Sequence, residues 1–102
     1  MKHTKYILNK QGEPVIEGNL VTWAQWFGTV ESRRVKVDDL PQGRVSTVFL
    51  GIDHNHSLKG PPILWETLVF GGKLSGKMDR CSGSHEQAVA MHERMVEKVK
   101  QL

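Results

Sequence analysis

Hydrophobic and polar positions alternate with two different periods along this chain, and the periods separate predicted strands from predicted helices. Residues 44–50 and 63–70 are apolar on both of their alternating faces, apart from Glu66, and are bounded by Gly or Pro. This indicates central β-strands with at least one face covered by a helix. Residues 85–101 place apolar side chains at intervals of three and four behind the capping-box pair Ser84 and Gln87. That spacing predicts the longest helix of the chain.

The N-terminal third predicts a hairpin followed by a short helix. Residues 6–8 and 13–16 are strand-like and flank a turn rich in Asn and Gly, as in a β-hairpin. Asn19 is placed to cap a helix with one apolar stripe, and Gly28 is placed to end it.

The remaining segments complete the predicted architecture. Residues 32–37 alternate as a strand, residues 38–43 form a turn with Pro and Gly, and residues 77–81 form a last short strand. We predict an α+β fold of one domain, residues 1–102. It is an antiparallel meander of about four to five strands, with a long C-terminal helix on one face and a short helix near the N-terminus.

Composition restricts the cellular setting. The 102 residues carry a net charge of +3 and include a single cysteine, Cys81, so no internal disulfide forms and a reducing compartment is indicated. No run approaches the roughly 20 apolar residues that span a bilayer. Residues 1–5 lead into only three apolar residues, far short of a signal-peptide core. We therefore predict a cytoplasmic protein that does not contact a membrane.

Two polar residues interrupt apolar faces and are the strongest candidates for chemistry. His92 lies on the apolar stripe of the last helix, and Glu66 shares a strand face with Leu64, Leu68 and Phe70. If the helix packs on that face, the imidazole and the carboxylate meet. The pair is then either a polar bridge that fixes the position of the helix, the favoured interpretation, or a general acid–base pair.

The loop after the first central strand has a composition that invites a metal-binding interpretation. His54 and His56 are two apart, and Asp53 or Cys81 would be further ligands. The sequence supplies no second ligand cluster at a known spacing, whereas Asp and Asn commonly satisfy the backbone of their own loop. We predict neither a metal ion nor a cofactor.

Several segments taken together resemble a family of small proteins encoded by tailed bacteriophages and prophages, for which no activity is established. The matching segments are 5–8 with 12–15, 23–27, 44–51 with 53–54, 60–62, 64–67, 69–72 and His92. The resemblance implies expression in the cytoplasm of a bacterial host cell.

The same resemblance marks polar positions where the chain agrees with the family pattern, namely Asp53, His54, Glu66 and His92. Residues 73–85 fit the pattern least well, because family members carry an aromatic residue near Cys81. They also lack a second histidine in the loop, which argues further against a metal site that includes His56.

The leading functional prediction is a non-enzymatic module that binds a host or phage protein, or a second copy of itself. Trp26 and Trp65 are its predicted anchors, because interfaces favour large aromatic side chains. Trp26 lies off the apolar stripe of its helix, either at the margin or exposed. The predicted binding residues are Trp26, Asp53, His54, Trp65, Glu66 and His92.

Two alternatives remain open at this stage. The first is nucleic-acid binding by a basic sheet face, which would make affinity fall steeply with added salt. Its residues are Arg33, Arg34, Lys36 and Arg44. The second is a small enzyme in which Asp53, His54, Glu66 and His92 converge on one cleft.

Overall fold

The computed structural model describes residues 4–57 and 59–102; residues 1–3 of the predicted N-terminal segment and Leu58 of the predicted loop lie outside those ranges. The chain forms six strands and three helices in these ranges. They are β1 (Tyr6–Leu8), β2 (Pro14–Ile16), α1 (Leu20–Phe27), α2 (Val30–Arg33), β3 (Arg34–Leu40), β4 (Gly43–Phe49), β5 (Trp65–Phe70), β6 (Met78–Cys81) and α3 (His85–Lys100). The predicted α+β class is confirmed.

The principal sheet has the order β3-β4-β5-β6, with every neighbouring pair antiparallel. Each strand therefore pairs with its neighbour in sequence, which is the predicted meander. The hairpin β1–β2 forms a separate two-stranded sheet.

The N-terminal unit is attached to the sheet by α1 and by the segment after β4. The Asn19 side chain accepts a hydrogen bond from the Thr22 amide at 3.0 Å, which caps α1 as predicted. The Trp23 indole donates to the Gly51 carbonyl at 3.0 Å, and a bridge pairs Lys5 with Ile52. The hairpin and α1 are thus held beside the end of β4.

Helix α3 begins with the predicted capping box of Ser84 and Gln87 and packs against one face of the principal sheet. Alternate residues of β4 and β5 face it and are buried, and each fully buried aliphatic or aromatic side chain contributes about 1.5–3 kcal/mol. These sheet residues are Val45, Thr47, Phe49, Trp65, Thr67 and Val69. Within the described ranges, no helix is both long and apolar enough to cross a membrane.

Strand β3 differs from the prediction in both of its bounds. It starts at Arg34, after the short helix α2, and continues through Asp38 and Asp39 to Leu40, so the prediction of residues 38–43 as a turn is wrong. Aspartate is a poor strand former, but here Asp38 contacts His92 and Asp39 contacts Arg44. These partners stabilise an extended backbone that local preference disfavours.

A register shift between Arg34 and Lys36 marks a β-bulge in β3. The side chain of Val35 packs into the core cluster around Phe49, and that of Lys36 contacts Glu93 on α3. Both consecutive residues therefore reach the helix-covered side of the sheet, because a bulge interrupts the two-residue alternation.

The opposite side of the principal sheet is not covered by α3, and we call it the open face. It carries a central apolar band with charged residues near three of its corners, one of which is formed by Arg34. Phe70 and Met78 are 51% and 46% exposed. The band consists of Val37, Ser46, Val48, Leu68, Phe70 and Met78.

Candidate functional site

A chain of polar side chains lies between α3 and the sheet, centred on His92, which is completely buried. Its Nδ1 lies 2.7 Å from Thr47 Oγ1, and that hydroxyl lies 2.5 Å from Thr67 Oγ1. The other ring nitrogen, Nε2, lies 2.7 Å from Asp38 Oδ2. The imidazole therefore joins the helix directly to β3 and β4, and the Thr47–Thr67 bond extends the network to β5.

The position of this network follows from the register of the sheet. Thr47 and Thr67 are directly opposite each other on β4 and β5, and both are completely buried on the side facing α3. His92 projects from α3 onto this pair, and Asp38 reaches it from β3 at the sheet edge. Among the side chains that the structure describes, no buried polar atom lacks a hydrogen-bond partner.

The network continues to the surface through Glu93 and Lys36. The Lys36 ammonium hydrogen-bonds to Glu93, and this bond raises the pKa of Lys36 above its ordinary value, with a further contribution from the charge of Asp38. Ligand atoms of Asp38, His92 and Glu93 all lie within 4.8 Å of one another. Two carboxylates and one imidazole nitrogen thus lie close together, and the three residues range from fully buried His92 to exposed Glu93.

The order hydroxyl, imidazole, carboxylate is that of a hydrolase triad, but the geometry excludes that use. The Thr47 hydroxyl would be the nucleophile, and Thr47 is 0% exposed beneath α3. A substrate carbonyl has no access to it. In the folded protein the three groups form a hydrogen-bonded link between α3 and the sheet.

Glu66 does not contact His92, and the predicted pairing is wrong. The Glu66 carboxylate accepts a hydrogen bond from Arg80 Nε at 2.9 Å. Residues 65, 67 and 69 of β5 are the buried, helix-facing set, so Glu66 points to the open face. A polar bridge does lie under the helix, but its carboxylate is that of Asp38.

The side chains of Asp53 and His54 form hydrogen bonds within the segment between β4 and β5. Asp53 Oδ1 accepts hydrogen bonds from the amides of Asn55 at 2.7 Å and Ile63 at 3.0 Å. The His54 ring bonds to the Ile52 carbonyl at 2.8 Å. These contacts close the segment between β4 and β5, so the prediction that Asp53 and His54 are available for binding is not supported by their geometry.

The two predicted tryptophan anchors differ in exposure. Trp65 is 0% exposed, and its indole donates to the Gly83 carbonyl at 2.8 Å, so the prediction of Trp65 as a partner contact is wrong. Trp26 is half-buried and packs edge-on against Phe49 at 5.7 Å between ring centroids. It lies at the margin of the core, one of the two predicted placements.

The four basic residues do not form the predicted basic sheet face. Arg33 belongs to α2, where its guanidinium lies 4.0 Å from the centroid of the Phe27 ring. Lys36 pairs with Glu93, and the Arg44 side chain bonds to Asp39 at 2.6 Å. Of the predicted set, Arg34 begins β3 and is exposed. Paired acidic groups reduce the positive field that phosphate binding requires.

Cys81 lies at the edge of the aromatic core. Burial raises the pKa of its thiol above the ordinary value, the charge of Asp79 adds to this effect, and the charge of Arg94 opposes it. Because the thiolate is the nucleophilic form, this environment disfavours reactivity at Cys81.

The residues that the sequence interpretation missed are Asp38, Thr47, Thr67 and Glu93. A signal for two of them was present: each threonine is the single polar residue within an apolar alternation, as His92 is on its helix. Ser46 and Glu66 interrupt the opposite faces of the same two strands in the same way, so this signal alone does not select the threonine faces.

Comparison with known proteins places this arrangement in no group: no protein-family model, curated protein or solved structure matches the chain. The resemblance to bacteriophage proteins therefore stays a prediction.

Proposed function

We propose that this chain is a non-enzymatic protein-binding module whose contact surface is the open face of the principal sheet. The observation that carries the proposal is the exposure of Phe70 and Met78, at 51% and 46%. Met78 pairs directly with Leu68 in the neighbouring strand, and Phe70 lies two residues beyond Leu68 on the same side. The exposed side chains therefore extend a continuous apolar band.

The charged residues around this band support the proposal. The pair Asp39–Arg44 lies at one corner of the open face, and the pair Glu66–Arg80 lies diagonally across it. Protein interfaces commonly combine an apolar centre with a polar rim. Charged rim residues mainly set the orientation and the association rate of a complex.

The dimensions of the face indicate the strength of the complex. Strands about 4.8 Å apart that rise about 3.3 Å per residue give a four-stranded face of about 20 by 20 Å, or ~400 Å² in projection. A standard interface covers about 800 Å² on each partner. The open face supplies about half of that area, which favours a reversible complex over a permanent one.

An enzymatic role has less support. The Thr47–His92–Asp38 chain is closed to substrate, and the loop between β4 and β5 uses Asp53 for its own closure. A surface cleft of about 430 Å³ lies between the β1–β2 turn and the start of α3. Its lining from residues 11–14 and 83–86 includes none of the buried network.

The setting of the proposed complex is the cytoplasm of a bacterial cell. The resemblance to phage proteins supports a host or phage protein as the partner, and the single free cysteine is compatible with a reducing compartment. A second copy of the chain is the other partner that an apolar face of this kind accommodates.

Site-specific photocrosslinking in expressing bacteria tests the proposal. The crosslinking amino acid p-benzoylphenylalanine replaces Phe70 or Met78, and a matched control carries it at Glu97, an exposed position of α3. We expect discrete products from positions 70 and 78 and none from position 97. The product formed from position 78 should disappear when Phe70→Glu is added.

Circular dichroism verifies that each variant is folded. A product of twice the mass of the chain identifies a second copy, and any other discrete mass identifies a different partner. The proposal fails if positions 70 and 78 give no product, or the same products as position 97.

A further inference from the structure

We infer that Asp38, His92 and Glu93 form a binding site for one divalent transition-metal ion, with zinc as the probe ion. Their ligand atoms lie within 4.8 Å of one another, and they form the one such group of three among the His, Cys, Asp and Glu residues that the structure describes. One imidazole nitrogen with two carboxylates suits zinc and its neighbours in the first transition row. This inference is independent of the protein-binding proposal.

The imidazole of His92 is oriented as a metal ligand requires. Its Nδ1 is held at 2.7 Å by the Thr47 hydroxyl, and Nε2 is directed to the carboxylate end of the cluster. Metal-binding histidines almost always engage their second ring nitrogen in such a hydrogen bond, which sets the tautomer and the ring plane. Complete burial of His92 removes the rotamers that would direct Nε2 elsewhere.

The two threonine hydroxyls allow the imidazole to change tautomer without losing a partner. In the tautomer that carries its proton on Nε2, the ring donates to Asp38 and the Thr47 hydroxyl donates to Nδ1. A metal ion on Nε2 requires the other tautomer, in which Nδ1–H donates to Thr47 and Thr47 donates to Thr67.

The cluster already holds a cation. The ammonium of Lys36 bonds to Glu93, and Glu93 and Asp38 both contribute to the raised pKa of Lys36. A metal ion therefore competes with this ammonium for the same carboxylates. Since Lys36 and Glu93 are both exposed, their side chains rotate apart without disturbing the core.

The adjustment that binding requires is small. Bonds of about 2.1 Å in a tetrahedral site place ligand atoms about 3.4 Å apart. The widest separation, within 4.8 Å, must therefore close by no more than about 1.4 Å, and the Nε2–Oδ2 pair at 2.7 Å must open by about 0.7 Å. Glu93 supplies the closing movement from the surface of α3. Three protein ligands leave the fourth position to solvent.

Zinc titration by calorimetry tests the site with three surface substitutions on the intact chain. Glu93→Gln removes a ligand and should weaken zinc binding at least tenfold, a typical effect of disturbing a metal site. Lys36→Gln removes the competing charge and should strengthen binding about tenfold, because a nearby ammonium repels a divalent cation even in water. Glu97→Gln, one helical turn further along α3, should leave the affinity unchanged.

Long-range proton–nitrogen NMR spectra of the imidazole rings locate the bound ion. We expect zinc to convert His92 from the Nε2–H to the Nδ1–H tautomer. The inference is overturned if zinc changes only the signals of other histidines, such as His54 or His56. It is equally overturned if Glu93→Gln and Lys36→Gln bind zinc as the unmodified chain does.

Discussion

The hydroxyl of Thr47 is the centre of the buried network, and its removal by Thr47→Val is the most direct test of what holds α3 on the sheet. Valine keeps the shape of the side chain and removes one oxygen. That oxygen contacts His92 Nδ1 at 2.7 Å and Thr67 Oγ1 at 2.5 Å. All three side chains are completely buried, so water cannot replace the lost contacts.

The expected cost follows from the groups that lose their partner. A buried polar group left unpaired costs about 1–3 kcal/mol, and Thr47→Val leaves two such groups. We expect a loss of about 2–6 kcal/mol in the free energy of unfolding, a large part of the ~5–15 kcal/mol typical of a domain. The melting temperature should fall by at least about 8 °C.

Thr67→Val is the matched control, because it removes the terminal hydroxyl and keeps the Thr47–His92 bond. Its cost should be about 0.5–1.5 kcal/mol, the net value of one hydrogen bond. The double variant should cost less than the sum of the two, since the Thr67 oxygen that Thr47→Val leaves unpaired is then absent.

Urea unfolding followed by tryptophan fluorescence measures all three variants, and the buried indole of Trp65 reports loss of the core. The reasoning is refuted if Thr47→Val costs no more than Thr67→Val, or if the two costs simply add.

Three further outcomes are expected. Gly72→Ala should destabilise the protein by at least about 1 kcal/mol more than Gly71→Ala in urea unfolding. Both residues have φ near +80°, but a Cβ at Gly72 would lie 1.9 Å from a backbone oxygen, whereas a Cβ at Gly71 would meet open space. Equal costs of the two substitutions would contradict this reasoning. Cys81 should react more slowly with a disulfide reagent than a free thiol does at pH 8, because its pKa is raised in the folded state. For the same reason, the free energy of unfolding should fall as the pH rises above the ordinary thiol pKa of about 8.5. A Cys81→Ala variant that shows the same fall would disprove the assignment to Cys81. Asp39→Ala should leave the melting temperature unchanged within the error of the measurement, because its pair with Arg44 is largely exposed. A clear fall in the melting temperature would show that this pair contributes more than its exposure suggests.

Much of the fold is predictable from local patterns. Strand β4 and helix α3 are each bounded within about one residue of the prediction, because their apolar periods are strong and Gly, Pro or a capping residue stands at their ends. Strand β3 is less predictable, since two aspartates in its second half resemble a turn and are stabilised only by partners elsewhere in the fold.

The position of the site depends on which face of β5 is covered by α3, and the local sequence pattern does not predict which face that is. One set of alternate residues contains Thr67 and the other contains Glu66, and both sets are otherwise apolar. In the fold the threonine side is buried, since a hydroxyl finds one partner readily whereas a buried carboxylate carries a large desolvation cost. The carboxylate that does meet His92 comes from a segment 54 residues away.

That long separation has a kinetic consequence. The partners of His92 lie 45 and 54 residues away in sequence, whereas the strands of the meander pair with their immediate neighbours. Contacts that close long loops form late in folding, so we expect the His92 network to be absent from the transition state. Substitutions in it should then accelerate unfolding and leave the folding rate unchanged. The hydrogen-bonded link under α3 would therefore determine the unfolding rate, and so the lifetime of the native state, with little influence on the folding rate.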